Sequence, residues 1–345
     1  HLYRVKGQEL ADVSEMTAGQ MFAVAKIEEL QIGDVVQVGT PGRLPMPNVP
    51  VPMYSQAIEP KSRGDEQKIS GALARLSEED LTFKVTRDRQ TNELVVSGIG
   101  DLHLRVILER MARRFKLEVS TKIPKIPYRE TISAYAEGHY RHKKQTGGAG
   151  QFGEVYLKVE PMERNTGFEF LDEIFGGAIP GQYLPAIEKG VRDLMESGVV
   201  AGCPMQDVRV RVYDGKHHPV DSKEIAFRIA GKLAMKDAIA KAKPVLLEPV
   251  VNIEVTVPSQ YVGDITGDLS GRRGRIGGQD VMPGGMTVIR AQVPLSEVAQ
   301  YNSQLRSVTG GQGSYTMEFS HYEPVPPNIQ QEIIKQYKPK EEEEE

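Results

Sequence analysis

The residues best suited to chemistry lie in a glycine-rich, cationic segment at positions 138–153. This segment carries three fixed positive charges, five glycines and two histidines, and it contains no acidic residue. Lysine and arginine neutralise phosphates, glutamine reads base edges or riboses, and glycine lets a backbone approach a ligand closely. Composition supports two interpretations equally: a contact with nucleic acid, or a surface hairpin with a solvated basic flank. The candidate contacts are Arg141, His142, Lys143, Lys144, Gln145, Gly147, Gly148, Gly150 and Gln151.

A second candidate segment contains Lys216 and the adjacent histidines His217 and His218. Further along it, Asp221 and Glu224 have the spacing of a capping box, which makes Asp221 the predicted N-cap of a helix and gives both residues a structural role. The histidines precede this cap in a turn, so we expect them to be exposed. A metal site is disfavoured, because neighbouring side chains on a turn rarely converge on one ion and no third ligand is close in the sequence.

A third candidate segment, residues 267–278, combines a helix end, a basic loop and the start of a strand. Arg272 and Arg273 in that loop could contact phosphates of RNA. The alternative is that a glycine ends the helix and the arginines lie over its carboxyl end, where the helix dipole favours positive charge. The sequence slightly favours this second interpretation.

Motifs for covalent chemistry are missing from the sequence. It has no GxxxxGK[ST] phosphate-binding loop, no His-x-x-x-His pair, no Gly-x-Ser-x-Gly turn and a single cysteine, Cys203. A lone thiol between Gly202 and Pro204 is typical of a small apolar filler, and one cysteine is compatible with a reducing cytoplasm. We therefore predict no catalytic residue, no metal ligand and no cofactor in this chain, and expect it to act by binding.

Length and composition indicate several globular domains. The 345 residues suit about two to four domains, and 39% hydrophobic with 26% charged residues is typical of folded proteins. The net charge of −4 includes the five glutamates at 341–345, so the rest of the chain is close to neutral and any basic surface must be local. No apolar run is long enough for a membrane helix. The start at His1, within strand-like sequence, suggests a fragment or a processed product.

The pattern of apolar residues predicts an α+β fold with an internal repeat. Hairpin signals fill residues 1–40, and a proline-rich linker follows at 41–50. A strand–helix–strand–strand–helix–strand order is then predicted twice, over 53–120 and over 250–321, which is the order of a ferredoxin-like split βαβ domain. Between the two repeats, a strand over 128–140, further strands and two helices indicate a different α/β domain. Within the second repeat a helix is predicted over 295–308, and a short helix follows at 328–337.

Several of these segments together resemble the elongation factor G family. The similar segments run in the same order along nearly the whole chain: Gly98–Leu104, Lys143–Gly153, His218–Glu224 with Ala226 and Phe227, Gly263–Leu269, Arg272–Gly274, Leu305–Ser307 and Thr309–Gly313. The resemblance implies a fold made of a β-barrel remnant, two ferredoxin-like domains and a central α/β domain. The implied domains are the end of domain II at 1–45, domain III at 49–121, domain IV at 124–247 plus 325–339, domain V at 248–322, and a disordered acidic tail at 340–345.

The same resemblance implies a function in protein synthesis. The intact factor would bind RNA of both ribosomal subunits and move tRNA and mRNA, driven by hydrolysis of GTP with Mg²⁺ in an amino-terminal domain outside this sequence. The outer end of domain IV, with the first two candidate segments, would enter the decoding site, and domain V would lie near the GTPase-associated RNA. A cytoplasmic monomer without a membrane contact is implied.

Two alternatives remain open from the sequence. Ala149, His217, Lys223 and the glutamate tail depart from the commonest family pattern, which is compatible with a paralogue that acts in ribosome recycling or rescue. The other alternative is a free-standing enzyme that uses Cys203 or the histidine pair. A buried Cys203 and diverging imidazoles would count against the enzyme.

Overall fold

The computed structural model describes residues 1–27, 29–37, 39, 45–46, 48–62, 64–88, 90–144 and 150–337. Three of the candidate contacts, Gln145, Gly147 and Gly148, lie outside the described residues. The acidic tail at 340–345, the two preceding residues of the expected domain IV and much of the proline-rich linker lie outside them as well.

The described residues alternate between strands and helices throughout. The strands are β1 Leu2–Lys6, β2 Glu9–Val13, β3 Phe22–Val24, β4 Tyr54–Pro60, β5 Lys84–Arg87, β6 Leu94–Gly98, β7 Val119–Lys122, β8 Arg129–Ile132, β9 Ala136–Lys144, β10 Gln151–Pro161, β11 Phe168–Asp172, β12 Val208–Lys216, β13 Pro244–Pro258, β14 Arg275–Met282, β15 Met286–Pro294 and β16 Ser314–Pro324. The helices are α1 Glu66–Glu79, α2 Asp101–Phe115, α3 Leu184–Ser197, α4 Glu224–Lys241, α5 Val262–Gly271, α6 Leu295–Val298, α7 Tyr301–Thr309 and α8 Pro327–Gln336. No helix in the described ranges combines the length and the apolar character needed to cross a membrane.

Contacts divide the described chain into two compact units. The first unit comprises His1–Pro52, Pro60–Val85 and Ser97–Ser120, and the second comprises Met53–Glu59, Thr86–Val96 and Thr121–Glu345. The first unit begins with β1, β2 and β3, which form an open antiparallel sheet of order β2-β1-β3. The hairpins expected at the start of the chain are therefore present, and no closed barrel forms within the described residues.

The strand orders of two sheets confirm the ferredoxin-like repeat. The strands β4 to β7 form a sheet of order β5-β6-β4-β7, and the strands β13 to β16 form a sheet of order β14-β15-β13-β16. In each sheet the first strand lies between the third and the fourth, because each strand–helix–strand connection crosses over a neighbouring strand position. The mixed α+β fold class expected from the sequence is thus confirmed.

The central domain is a sheet of order β11-β12-β10-β9 with α3 and α4 on one face. Valine and leucine alternate with polar residues along β10 and β12, so one side of each strand is apolar. That side faces the helices and forms a fully buried core with them: Val155, Leu157, Val159, Val208, Val210, Val212, Ile187, Val191, Phe227 and Met235 are representative members. The strand β11 pairs with β12 in parallel, and both strands therefore end on the same side of the domain.

The longest strand, β13, takes part in two ladders in succession. Its first four residues pair with β8, and the strand then continues without a turn between β15 and β16. Leu247 is paired with Arg129 on one side and with Pro324 on the other. The helix α8 returns to the same place, where the Gln330 side chain accepts a hydrogen bond of 3.1 Å from the Leu246 N–H.

Two expected elements are interrupted. The strand predicted over 128–140 is split into β8 and β9, because the N–H groups of Ser133 and Ala134 bond to the carbonyl of Ala242, just beyond α4. The helix predicted over 295–308 is split into α6 and α7. The strand β11, which has five residues, was not predicted from the sequence.

Candidate nucleic-acid interface

The strands β9 and β10 form an antiparallel hairpin that carries the first cationic segment. Lys144 is opposite Gln151 and Lys143 is opposite Phe152 in the ladder, so both lysines lie at the open end of the hairpin, and both are exposed. His142 Nε2 lies 3.1 Å from the Gln151 side-chain oxygen across the two strands. The pairing therefore fixes the backbone that presents the lysines.

Arg141 contributes to the sheet through a buried carboxylate. Its Nε and Nη2 atoms each lie 3.0 Å from Glu154 Oε2, and the Glu154 side chain is only 4% exposed. His139 Nε2 lies 2.8 Å from Glu154 Oε1, and the Tyr156 hydroxyl donates to the same oxygen over 3.1 Å. Burial favours the neutral acid, but these three partners outweigh it and lower the pKa of Glu154. Arg141 is thus held by an ion pair within the domain.

The loop after β12 lies directly against this hairpin. The Ser222 hydroxyl accepts a hydrogen bond of 2.8 Å from the His218 N–H and donates one of 3.0 Å to the carbonyl of Phe152. In return, the Phe152 N–H donates to the carbonyl of Asp221 over 2.9 Å. Segments that are about 70 residues apart in the sequence therefore lie side by side, because β12 runs antiparallel to β10 and ends where β10 begins.

The capping box expected at Asp221 and Glu224 is not formed, and that prediction was wrong. The helix α4 begins at Glu224, its N-cap is Lys223 with extended backbone angles, and no side chain caps it. The reason is that the Asp221 carbonyl is engaged by the hairpin, which keeps this residue outside the helix. Its carboxylate lies 3.4 Å from His218 Nδ1 instead.

Gly150 has a packing role between the two loops. It is buried, and a Cβ at this position would lie 2.8 Å from the Asp221 carboxyl carbon, which is closer than real contacts allow. Gly153 is similarly close to the start of α4, where a Cβ would lie 3.1 Å from the backbone of Ala226. These glycines let the loops approach each other, whereas the sequence suggested an approach to a ligand.

A third loop, which was not predicted from the sequence, lies at the same end of the domain. It follows β11, and His217 Nδ1 lies 3.1 Å from the carbonyl oxygen of Ala178 in this loop. Phe175, near its centre, is 94% exposed. An aromatic residue followed by two glycines was the signal that could have identified it. We call this end of the domain, residues 141–144, 150–153, 173–180 and 214–223, the tip.

The tip presents cations that form no ion pair within the part of the chain that the structure describes. Lys143, Lys144 and Lys216 are exposed, and none of them forms a salt bridge or a side-chain hydrogen bond with another described residue. His217 and His218 are exposed beside them. Such unpaired cations keep their full charge available to an anionic partner such as a phosphate backbone.

Arg272 and Arg273 lie elsewhere, in the loop after α5, and both are engaged inside the protein. Arg273 makes a two-atom contact with the buried carboxylate of Glu248, at 2.6 and 2.9 Å, and a further contact of 2.9 Å with Glu297. These bonds raise the pKa of Arg273. Arg272 bonds to Asp268 over 3.0 Å. Both arginines are thus held within the protein, as the structural interpretation expects, but no glycine caps the helix: Arg272 is the C-cap, and Arg273 takes the left-handed conformation with a φ of 60°.

The residues that could have served an enzyme are not arranged for catalysis. Burial, with Glu130 nearby, raises the pKa of Cys203 to about 11, which disfavours the reactive thiolate. The two imidazoles diverge: His217 faces Ala178, whereas His218 Nδ1 accepts the N–H groups of Val220 and Asp221. Among the described residues, no three His, Cys, Asp or Glu side chains form a metal-binding group.

Comparison with known proteins finds one family along most of the chain. Residues 49–123 match a model of domain III of elongation factor G, residues 124–243 match a model of its domain IV, and residues 245–333 match a model of its C-terminus. A crystal structure of a protein from Thermus thermophilus is similar, with a TM-score of 0.82 and 43% sequence identity over 97% of this chain. The chain spans 50% of that protein, about half its length.

Proposed function

Because this chain belongs to the elongation factor G family, we propose that its tip enters the decoding site of the ribosome and promotes the movement of tRNA and mRNA. The observation that carries the proposal is the set of exposed cations at the tip that have no ion-pair partner among the described residues. Lys143 and Lys144 lie at the end of β9 and Lys216 at the end of β12, in the sheet that packs against α3 and α4.

Each part of the tip suits a folded RNA. Lys143, Lys144 and Lys216 can neutralise phosphates, and buried Gly150 lets the start of β10 lie close against Asp221 of the second segment. The exposed imidazoles of His217 and His218 add hydrogen-bonding groups for riboses or bases. Contacts of this kind position a protein on RNA largely by shape and charge, as a mechanical role in translocation requires.

The energy for such movement would come from outside this chain. The resemblance implies GTP and Mg²⁺ in the intact protein, but no segment of these residues has the glycine-rich loop and lysine that hold nucleotide phosphates. The residues present do not fit a nucleotide. We place the intact factor in the cytoplasm as a monomer with the ribosome as its partner.

The proposal is tested with Lys143→Ala, Lys144→Ala and His218→Ala combined. In this chain, binding to ribosomal RNA should weaken, and the slope of log affinity against log salt should fall by about one for each lost phosphate contact. In the intact factor, the same triple variant should slow translocation while ribosome-stimulated GTP hydrolysis is retained.

A matched control is available in the same domain. Lys189 and Lys236 are exposed on α3 and α4, away from the loops of the tip, and Lys189→Ala with Lys236→Ala removes the same number of lysines. This double variant should bind RNA and translocate as the parent does. Parental translocation by the triple variant would show that the tip is not the working end.

A further inference from the structure

Phe175 is an aromatic side chain with almost no protein around it. It is 94% exposed, the largest exposure among the large hydrophobic residues of the described chain. Its neighbours Gly176 and Gly177 have φ angles of 70° and 74°, in the left-handed region that favours glycine, and a Cβ on either would meet nothing within 4 Å. The chain therefore turns sharply after the ring and leaves open space beside it.

The base of this loop is firmly attached although its centre is open. The Glu173 N–H donates to the carbonyl of Val212 over 2.8 Å, which extends the β11–β12 ladder by one residue. On the other side of Phe175, Ile179 is only 3% exposed and lies against Gly215, where a Cβ would be 2.4 Å from the isoleucine Cδ1. The ring therefore extends from a loop that is anchored at both ends.

The loop belongs to the tip because of the direction of its strand. Since β11 is parallel to β12, residues that follow β11 reach the same end of the domain as residues that follow β12. His217 of the second loop contacts Ala178 of the third. Just after the third loop, the Tyr183 hydroxyl donates a hydrogen bond of 3.2 Å to the carbonyl of Ser222. These two contacts join the third loop to the second. Phe175 thus lies at the same end of the domain as the cations of the tip, next to the strand that carries Lys216, whereas Lys143 and Lys144 are on the opposite edge strand, about 14 Å away at the usual strand spacing.

Three acidic residues lie close to Phe175 in the chain or on the neighbouring strand. Glu173 forms an ion pair with Arg211, Asp172 accepts the Ile174 N–H over 2.9 Å, and Asp214 accepts the Gly215 N–H over 2.8 Å. Glu173 is neutralised by its partner, whereas Asp172 and Asp214 are exposed and keep their charge. Lys216, exposed on the same strand as Asp214, supplies the positive charge at this end of the domain.

We propose that Phe175 stacks on an unpaired RNA base while the lysines of the tip hold the flanking phosphates. Single-stranded RNA is recognised in this way, because splayed bases stack on exposed aromatic rings and every base offers a π face. This inference rests on the proposed function and adds a base contact to it. The alternative is that the ring binds in a groove of a protein partner, and the experiment distinguishes binding to RNA from binding to protein.

The chain has no tryptophan, so Phe175→Trp creates a single fluorescent reporter at the proposed site. A single-stranded RNA of about 20 nucleotides, longer than one typical single-strand site, should quench the indole fluorescence on binding. The same sugar–phosphate backbone without bases should bind with little quenching. Phe319→Trp is the matched control, because Phe319 is 54% exposed on β16, and its indole should respond to neither.

A second pair of variants measures the affinity. Phe175→Leu keeps an apolar side chain but removes the π face, and it should weaken binding of the RNA roughly tenfold, as expected for one stacked base. Phe319→Leu should have no effect. Equal quenching by the RNA and by the backbone without bases, or parental affinity of Phe175→Leu, overturns the stacking proposal alone.

Failure of the proposed function gives a different result. If the parent chain, followed by fluorescence anisotropy, shows no salt-dependent binding to the RNA, both proposals are overturned. If the parent binds RNA through Lys143 and Lys144 but the indole of Phe175→Trp is not quenched, only the stacking proposal is wrong. If Phe175→Leu instead weakens binding to ribosomal protein but not to RNA, the ring contacts a protein groove and the stacking proposal is overturned.

Discussion

Glu154 shows how one buried carboxylate organises the base of the cationic hairpin. It lies on β10 opposite Arg141 of β9, and three side chains bond to it. If the carboxylate were absent, Arg141 would be released from its ion pair and His139 from its hydrogen bond. The hairpin therefore depends on this residue for its local order, although Glu154 is itself too buried to contact a partner.

Glu154→Gln should lower the free energy of unfolding at pH 7 by about 2 kcal/mol, since bonds to a charged acceptor are replaced by bonds to a neutral one. The folded protein lowers the pKa of Glu154 below its ordinary value of 4.5. Its contribution is therefore complete above that ordinary value and is lost as the pH falls through the lowered pKa.

Urea unfolding between neutral pH and about pH 3 measures this effect. The difference between the parent and Glu154→Gln should hold from neutral pH down to about pH 4.5, the ordinary pKa of a glutamate, and should shrink as the pH falls further. A difference that stays constant across this range would mean that the ionised carboxylate is not the source of the stability. Glu163→Gln, at an exposed position outside the strands, is the control and should have no effect at any pH.

At the residue scale, the sequence identified the exposed cations but not their partners. Arg141 was expected to contact RNA, whereas Glu154 lies one residue beyond the acid-free segment and is joined to Arg141 only by the strand register. Asp221 was expected to cap a helix, whereas the hairpin engages its carbonyl. Phe175 was missed because the exposure of one aromatic side chain depends on the whole domain. Register and exposure are properties of the folded chain, which local patterns do not contain.

At the scale of elements, α3 and α4 pack together at unusually close range. A Cβ on Gly190 of α3 would lie 2.0 Å from the carbonyl oxygen of Arg228 on α4, and a Cβ on Gly231 would lie 2.9 Å from Ile187 Cγ2. Each helix thus presents a glycine to the backbone or a side chain of the other. This close approach positions α4, whose first residues support the second loop of the tip.

Gly190→Ala should destabilise the protein by about 3 kcal/mol, because the added methyl group can be accommodated only if the helices separate. Gly263→Ala is a matched control: this glycine is also in a helix, α5, and a Cβ there would meet nothing within 4 Å. The control should stabilise the protein by up to about 1 kcal/mol through helix propensity. Thermal unfolding should show a melting temperature below that of the parent for Gly190→Ala and at or above it for Gly263→Ala. Similar melting temperatures for the two variants would contradict the close packing of α3 and α4.

The elements themselves were largely predictable from apolar periodicity. The repeated order of strands and helices indicated two ferredoxin-like domains, and the structure confirms them. The strand β11 was not predicted, because its five residues show no clear alternation and it is held by parallel pairing with a distant strand. The break between β8 and β9 was not predicted either, since hydrogen bonds to the end of α4 cause it.

At the scale of the whole molecule, we expect the chain neither to bind nor to hydrolyse GTP. No stretch of its 345-residue sequence has the glycine-rich loop with lysine whose backbone N–H groups hold nucleotide phosphates. Titration calorimetry with GTP and Mg²⁺ should show no heat of binding, and phosphate release should equal that of buffer. Binding at micromolar concentration would contradict this prediction and require a nucleotide site of another kind.

The continuous strand β13 has a mechanical consequence. Its 15 residues extend for roughly 50 Å, and hydrogen bonds support them first from β8 and then from β15 and β16. Bending the chain anywhere along this length must break ladder bonds, whereas a loop would bend by simple rotation of its dihedral angles. A force applied at Arg129 is therefore transmitted along β13 to the sheet formed by β13 to β16, where it acts as shear between hydrogen-bonded strands.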